Sequence, residues 1–332
     1  MTALTLEAGP VTRERATKER LFGAVQDYGA MVVLGMLVVL GAAAFPSFLT
    51  ADNLTNIATQ SSFTLIIAVG MTFTILTGGI DLSVGSMFAL GGVLAAMSSH
   101  WGGLAAALLV PVLAGVVVGA VQGSLIAWGR MAPFIVTLAG LGAVRGVSLA
   151  LTQGGSITPL VQSDAFRTLG QGGIGGLRFP VFVAIAVLVV GIVVLGRTRT
   201  GMAVYAVGGS ESAALLMGLP ARRVKFVVYV ISGAAAGLAG ALSAAYSSSG
   251  VPNVGVGYEL TVIATVVIGG TLLTGGKGSL VGTLAGVLVL AVIQNLINQV
   301  GSLTSSVQLV VSGGFLAIVV VAQTLLARQQ RI

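Results

Sequence analysis

The sequence predicts an all-α polytopic membrane protein of about ten transmembrane helices, with an internal repeat and both termini cytoplasmic. Three observations carry that prediction. Only 8% of the 332 residues are charged, about a third of the share in an ordinary soluble domain. The mean hydropathy is +1.05, so a soluble fold of this size would lack the polar surface to cover itself. Long stretches free of Asp, Glu, Lys and Arg recur along the chain, each near the ~20 residues that cross a bilayer.

Taken in order, residues 1–27 are polar and carry four of the nine acids. They read as a cytoplasmic tail and not a cleaved leader, because a full-length apolar stretch and further spans follow. Residues 28–51 and 53–80 supply two spans. Residues 82–129 hold two more, broken near His100-Trp101-Gly102-Gly103. Residues 131–152 form a fifth, interrupted by Arg145, and 179–196 a sixth. Residues 226–248 and 259–273 add two, and 278–327 two again, broken near Gly301-Ser302. The transmembrane domain is thus 28–327, with 328–332 a short cytoplasmic tail. The 49 glycines suit close helix packing in lipid. Gly115, Gly119 and Gly123 make one small-residue face, and Gly233 and Gly237 another.

The cations orient these spans. With the N-terminus inside, thirteen Lys and Arg fall on the inner side and only Arg167 and Arg178 on the outer. Arg145 lies within a span. The net charge of +7 reports this topology and no nucleic-acid patch, since the cations are scattered over short loops.

Several chemistries are excluded. With no Cys and one His there is no disulfide scaffold, thiol nucleophile, Cys/His zinc site or two-His metal site. Gly170 to Gly175 matches G-x-G-x-x-G but follows no strand, and Gly275-Gly276-Lys277-Gly278 lacks the Ser or Thr of a phosphate loop. The chain offers no nucleotide site by that route, so no cofactor is expected in it.

Residues 74–85 and 271–282 are similar in sequence at a constant offset of 197. Thr74-Ile75-Leu76-Thr77-Gly78-Gly79, followed by Ile80 to Gly85, matches Thr271-Leu272-Leu273-Thr274-Gly275-Gly276, followed by Lys277 to Gly282. Internal repeats are frequent in transporters. These loops are expected on one side, either as duplicated tight turns or as unwound helix ends around a path. Asp81, Ser83 and Ser279 are candidate caps, with Lys277 an alternative partner for Asp81. Arg145 is a candidate for the path because a buried cation is costly. Gln294, Asn295 and Asn298 either line a polar path or cross-link helices.

The inner segment 197–225 contains a short helix. Ser210 caps it, Glu211 and Ser212 open it, Ala213, Ala214, Leu216 and Met217 form its small apolar face, Gly218 ends it and Pro220 prevents continuation. Arg222, Arg223 and Lys225 anchor the exit at the membrane. An exposed apolar helix with a cationic flank suggests a docking site for a cytoplasmic protein.

These motifs, in this order, resemble the membrane subunit of bacterial ABC sugar importers of the ribose/xylose/arabinose/galactose permease family. The resemblance rests on Gly78 to Gly85, on Ala206 to Gly218, on Arg223-Val224-Lys225 and on Gly275 to Ser279, and it covers about 28–327. Ser212 stands where the commonest coupling pattern has Glu. The resemblance implies monosaccharide import by alternating access. It implies two permease copies, cytoplasmic ATPase partners that hold ATP and Mg, and an external sugar-binding protein. Arg167, Arg178 and Glu259 are the candidate contacts for the last. The competing reading is an ion-coupled secondary transporter, which the absence of a central carboxylate disfavours.

Overall fold

The computed structural model describes residues 29–300 and four isolated positions beyond them (310, 313, 314 and 321). Both predicted tails, and the break expected near Gly301-Ser302, fall outside the described residues.

The described chain is helical almost throughout. α1 is Gly29–Ala44, α2 Ala51–Leu76, α3 Val84–Ala127 and α4 Pro133–Leu151. α5, Asp164–Gln171, leads into a two-residue-per-strand hairpin of β1, Gly173–Ile174, and β2, Leu177–Arg178. α6 is Phe179–Arg197, α7 Arg199–Gly209, α8 Glu211–Leu216, α9 Ala221–Ser247, α10 Tyr258–Ile268 and α11 Leu280–Val300. Six of the described helices are long and apolar enough to cross a membrane.

α3 is really two helices. Gly103 has φ 56° and ψ −143°, far from helical values, at the predicted break. The halves fold back on each other, so that Ser83 Oγ lies 3.2 Å from Gln122 Oε1. α9 packs against both halves. The two small-residue faces read from the sequence meet here: Gly115 lies on the backbone of Gly233, and Gly119 and Gly123 on Tyr229 and Phe226. A methyl group at any of these would enter the facing backbone, which is how the bundle brings its helices together without a solvent-driven hydrophobic force.

One expected span and one connection differ. The stretch 259–273 supplies only α10, an eleven-residue helix that starts at Tyr258 and is too short to cross a bilayer. The preceding segment descends instead without helix, through Gly255 and Gly257 at φ 82° and 75°. Its start pairs with the connection 153–178, expected outside, at Leu160–Ser249, and Gly255 reaches Gly85 at the start of α3. α10 therefore begins partway down the bundle. The segment 197–225, expected on the inner side, holds an additional helix, α7, ahead of the predicted short one.

The cationic ends Arg130, Arg222, Arg223 and Lys225 lie together in one groove at one end of the bundle. That end also holds α7, α8 and both repeat loops, because Gly276 N–H donates to Leu76 O at 2.9 Å and Gly208 packs on both. The bend at Gly103, α5 and the hairpin lie at the opposite end, where Ser99 Oγ accepts from Gln162 N–H.

Candidate functional site

A cavity of about 400 Å³ opens between α2, α3, α9, α10 and α11. Among the described residues no Asp, Glu, Lys or Arg lines it. Its aromatic faces come in two tilted pairs, Phe63 with Tyr246 (centroids 5.9 Å apart) and Phe88 with Tyr258 (5.1 Å). Tyr258 Oη lies 2.6 Å from Thr64 Oγ1, which fixes the ring edge toward α2. Asn56 and Gln60 of α2 and Gln294 of α11 line the cavity, and their amides make no hydrogen bond with another described residue. Such free donor–acceptor groups beside aromatic faces suit a small neutral polyhydroxylated solute.

All three predicted path residues of α11, Gln294, Asn295 and Asn298, line this cavity. Asn295 also fulfils the cross-linking alternative. Its Nδ2 donates to Asn53 Oδ1 at 2.7 Å, its Oδ1 accepts from Gln299 Nε2 at 3.1 Å, and α11 is thereby tied to α2. Arg145 lies behind the wall and not on it. Its Nη1 donates to the carbonyls of Pro252 (3.0 Å) and Val254 (3.3 Å) and so holds the turn-rich segment whose Val254 and Gly255 face the cavity. Glu259 is corrected from the outer face. It opens α10, its carboxylate abuts Gly85, and it lies within electrostatic range of Arg145.

Toward the cationic end, Asp81 is 1% exposed. It accepts from Ser83 N–H at 2.9 Å, Ser83 Oγ–H at 2.6 Å and Ser232 Oγ–H at 2.7 Å. Capping is therefore the correct alternative, and the pairing with Lys277 is not formed: Lys277 is exposed, and its carbonyl accepts from Leu272 N–H. Ser232 lies eleven residues beyond Ala221, about 17 Å along α9 at the helical rise, so Asp81 is not at a span edge. The reason is re-entry: after α2 the chain turns at Gly78, φ 76°, and climbs back into the bundle before α3 begins. The buried Gln122 Nε2 lacks a partner, and with its amide turned it donates to Ser83 Oγ, extending the chain of bonds to α3.

The repeat loops touch. Gly275 and Gly276 have φ 85° and 74°, and a side chain at Gly275 would meet Gly78 N. Gly79 lies against Tyr229 Oη, where no Cβ fits. In the second copy Ser279 Oγ accepts from Gly282 N–H at 3.0 Å and caps α11. Into this crossing runs the end of α7. Gly208 packs its backbone on Leu76 O and Gly276 N, and Tyr205 Oη donates to Gly278 O at 2.9 Å. Burial pushes the Tyr205 phenol up, so it stays a neutral donor.

α8 follows at once. Ser210 Oγ accepts from Ala213 N–H at 3.3 Å, Gly218 ends the turn at φ 77°, and Glu211 pairs with Lys225 at 2.6 Å, tying α8 to α9. The expected docking face needs one correction. Ala214 is fully buried, facing the bundle, whereas Leu215, Leu216 and Met217 are 53%, 90% and 68% exposed. Ser212 and Ala213 are exposed with them. In a helix this short, one position in the turn must face its support, and here it is Ala214.

Comparison with known proteins now decides the family. Residues 53–320 match the model of the branched-chain amino acid transport system / permease component family. The chain belongs to that family. It is 41% identical to the ribose import permease of Bacillus subtilis, over 93% of this chain and 94% of that one. It is 34% identical to the D-allose transport system permease of Escherichia coli, and 35% identical to the fructose import permease of Bifidobacterium longum. Each of these covers 91% of this chain and 92% of the relative. No solved structure matches the chain significantly. The resemblance to sugar-importer permeases holds over nearly the whole length, and the chain is a multi-pass inner-membrane permease.

At the opposite end of this permease, Arg167 pairs with Asp164, which is 91% exposed. Arg178 donates to Gln171 O at 3.0 Å and stacks 5.2 Å above the Tyr246 ring, while Gln171 Nε2 donates to Tyr246 O at 3.0 Å. The hairpin thus holds an aromatic residue of the cavity. The sequence reading missed Asn56, Gln60, Tyr246 and Tyr258. A signal existed for the first two: Asn53, Asn56 and Gln60 form a polar stripe at helical spacing on an apolar span.

Proposed function

We propose that this chain is the membrane subunit of an ATP-driven importer of a monosaccharide, a pentose or hexose, and that the neutral cavity is its translocation path. The cavity carries the reading. It combines aromatic faces with the amides of Asn56, Gln60 and Gln294, has a volume suited to a small ligand, and among the described residues is lined by no formal charge. Three relatives named for ribose, D-allose and fructose, all neutral sugars, support it. In this reading two copies associate. A cytoplasmic ATPase holding ATP and Mg docks on Leu215, Leu216 and Met217 beside Arg222 and Arg223. An extracytoplasmic sugar-binding protein meets the end bearing Asp164 and Arg167. Alternating access rocks the helices that carry Gln60 and Gln294.

Uptake tests the path. With the partner subunits co-expressed, Gln60→Leu/Gln294→Leu should lower sugar uptake roughly tenfold or more, each lost hydrogen bond contributing about 1 kcal/mol. Both side chains face the cavity, so membrane insertion should be unchanged. Full uptake by the double variant would place the path elsewhere.

Sidedness has its own test. Ala165→Cys in α5 should react with an impermeant thiol reagent in intact cells, and Ser212→Cys in α8 should not. The native chain has no Cys, so each label reports one site. The reverse pattern would invert the assigned orientation. The ion-coupled alternative needs an exchangeable carboxylate on the path, and Asp81 and Glu259 do not line the cavity.

A further inference from the structure

A second groove, of about 770 Å³, lies at the cationic end between the end of α3, the turn into α4 and the start of α9, with Glu211 and Leu215 of α8 at its edge. Its two walls differ in chemistry. One carries Arg130, Arg222 and Arg223, and none of their guanidinium groups has an ion pair or hydrogen bond among the described residues. Lys225, a fourth cation, is already held by Glu211. The other wall is apolar. Trp128, 50% exposed, packs on Phe226 with centroids 5.2 Å apart, and Met131 stands beside it. That wall continues onto the exposed face of α4 through Phe134.

Three guanidinium groups without a counter-ion among the described residues line one groove, which suits an anion. Each offers a planar fork that matches two oxygens of a phosphate. A tryptophan at a helix end, at the level where apolar surface gives way to cations, is the side chain suited to a bilayer interface. A free phosphate or an acidic protein surface would satisfy the cations and leave the apolar wall unused. One ligand uses both walls. We propose that this groove binds the phosphodiester headgroup of an anionic phospholipid, its phosphate among Arg130, Arg222 and Arg223 and the top of its acyl chain along Trp128 and Phe134.

The chain holds only two Trp, so fluorescence isolates the site. In a Trp101→Phe background, Trp128 is the sole emitter. The full chain is placed in nanodiscs of phosphatidylcholine carrying a minor fraction of brominated phosphatidylglycerol, or the same fraction of brominated phosphatidylcholine. Trp128 should be quenched preferentially by the anionic lipid, with an apparent enrichment of about fivefold or more, since each nearby cation contributes about that factor. Arg222→Gln/Arg223→Gln should abolish the preference, and Arg130→Gln, on a separate segment, should reduce it. An unshifted Trp128 emission maximum in plain phosphatidylcholine controls for folding. Equal quenching by the two brominated lipids overturns the proposal. So does loss of the preference on adding millimolar inorganic phosphate at constant ionic strength, which would assign the groove to a free anion. Retained lipid preference in the double variant, with loss of the co-purifying ATPase, would assign the cations to protein docking instead.

Discussion

Leu216→Glu should leave the permease inserted and folded but unable to hold its ATPase. Leu216 is 90% exposed, so it contributes little to the packing of the chain it belongs to. It stands between Leu215 and Met217, and together they form the apolar tip of a helix fixed at three points: the Ser210 cap, the Gly218 turn and the Glu211–Lys225 pair. A side chain of that size at the centre of a docking patch is the kind whose loss costs about 2–4 kcal/mol, and a charge in its place adds desolvation. ATPase co-purification should fall at least about thirtyfold, and uptake with it, while expression stays level. Ala214→Glu, one turn position away, should behave differently. Ala214 has no exposed surface, so the carboxylate must either be buried without a partner or force α8 off the bundle. That variant should lower thermal stability as well as coupling. If Leu216→Glu co-purifies with normal ATPase, α8 is not the docking element.

The contrast between these two positions shows where the sequence was readable. The ends of α8 are encoded locally, in a cap, an acid in the first turn, a glycine and a proline, and all were legible. The rotation of the helix about its axis is set by what it leans on, which no local pattern records. The same division runs through the whole protein. The bend of α3 was legible because a His-Trp-Gly-Gly run interrupts an otherwise continuous apolar stretch. The meeting of Gly115 with Gly233 was legible as two faces, though not as one contact. The depth of Asp81 was not. A carboxylate after an apolar stretch reads as the edge of a span, and only the re-entry of the chain carries it inward to Ser232. The shortness of α10 was hidden for a related reason. The stretch 259–273 is apolar to its end, and only the turn at Gly269-Gly270, Gly270 at φ 89°, stops the helix at Ile268. Of the cavity, α11 was legible from a cluster of amides. Tyr246 and Tyr258 were not, since single aromatic residues in spans carry no pattern.

Gly208→Val should give the converse defect, a permease that binds its ATPase and does not transport. Gly208 sits two residues before the Ser210 cap, where the end of α7 crosses Leu76 of α2 and Gly276 of the second repeat loop. An added Cβ would enter the Leu76 carbonyl and crowd Gly276 N, which are joined by a 2.9 Å hydrogen bond. Neither backbone has slack, because Gly275 and Gly276 already occupy left-handed conformations and Gly78 turns the chain just beyond Leu76. Overpacking of this kind costs about 1–3 kcal/mol, an amount a bundle of this size can absorb as a local shift without unfolding. The shift matters for function because of what the two segments carry. α2 bears Asn56 and Gln60, the second loop leads through Ser279 into α11 with Gln294, and the cavity lies between them. A displaced α7 therefore separates movement of α8 from movement of both walls. The docking face itself, at Leu216 and Met217, is untouched. Basal ATPase activity and co-purification should persist, while sugar-stimulated activity and uptake fall by an order of magnitude or more. Gly208→Ala should be intermediate, because a methyl group demands a smaller shift than an isopropyl. Gly209→Ala should be close to neutral: a Cβ there meets nothing within 4 Å, although it is the adjacent residue on the same helix. Equal defects at 208 and 209 would show that the segment only needs flexibility, and that the backbone crossing carries no motion between the subunits.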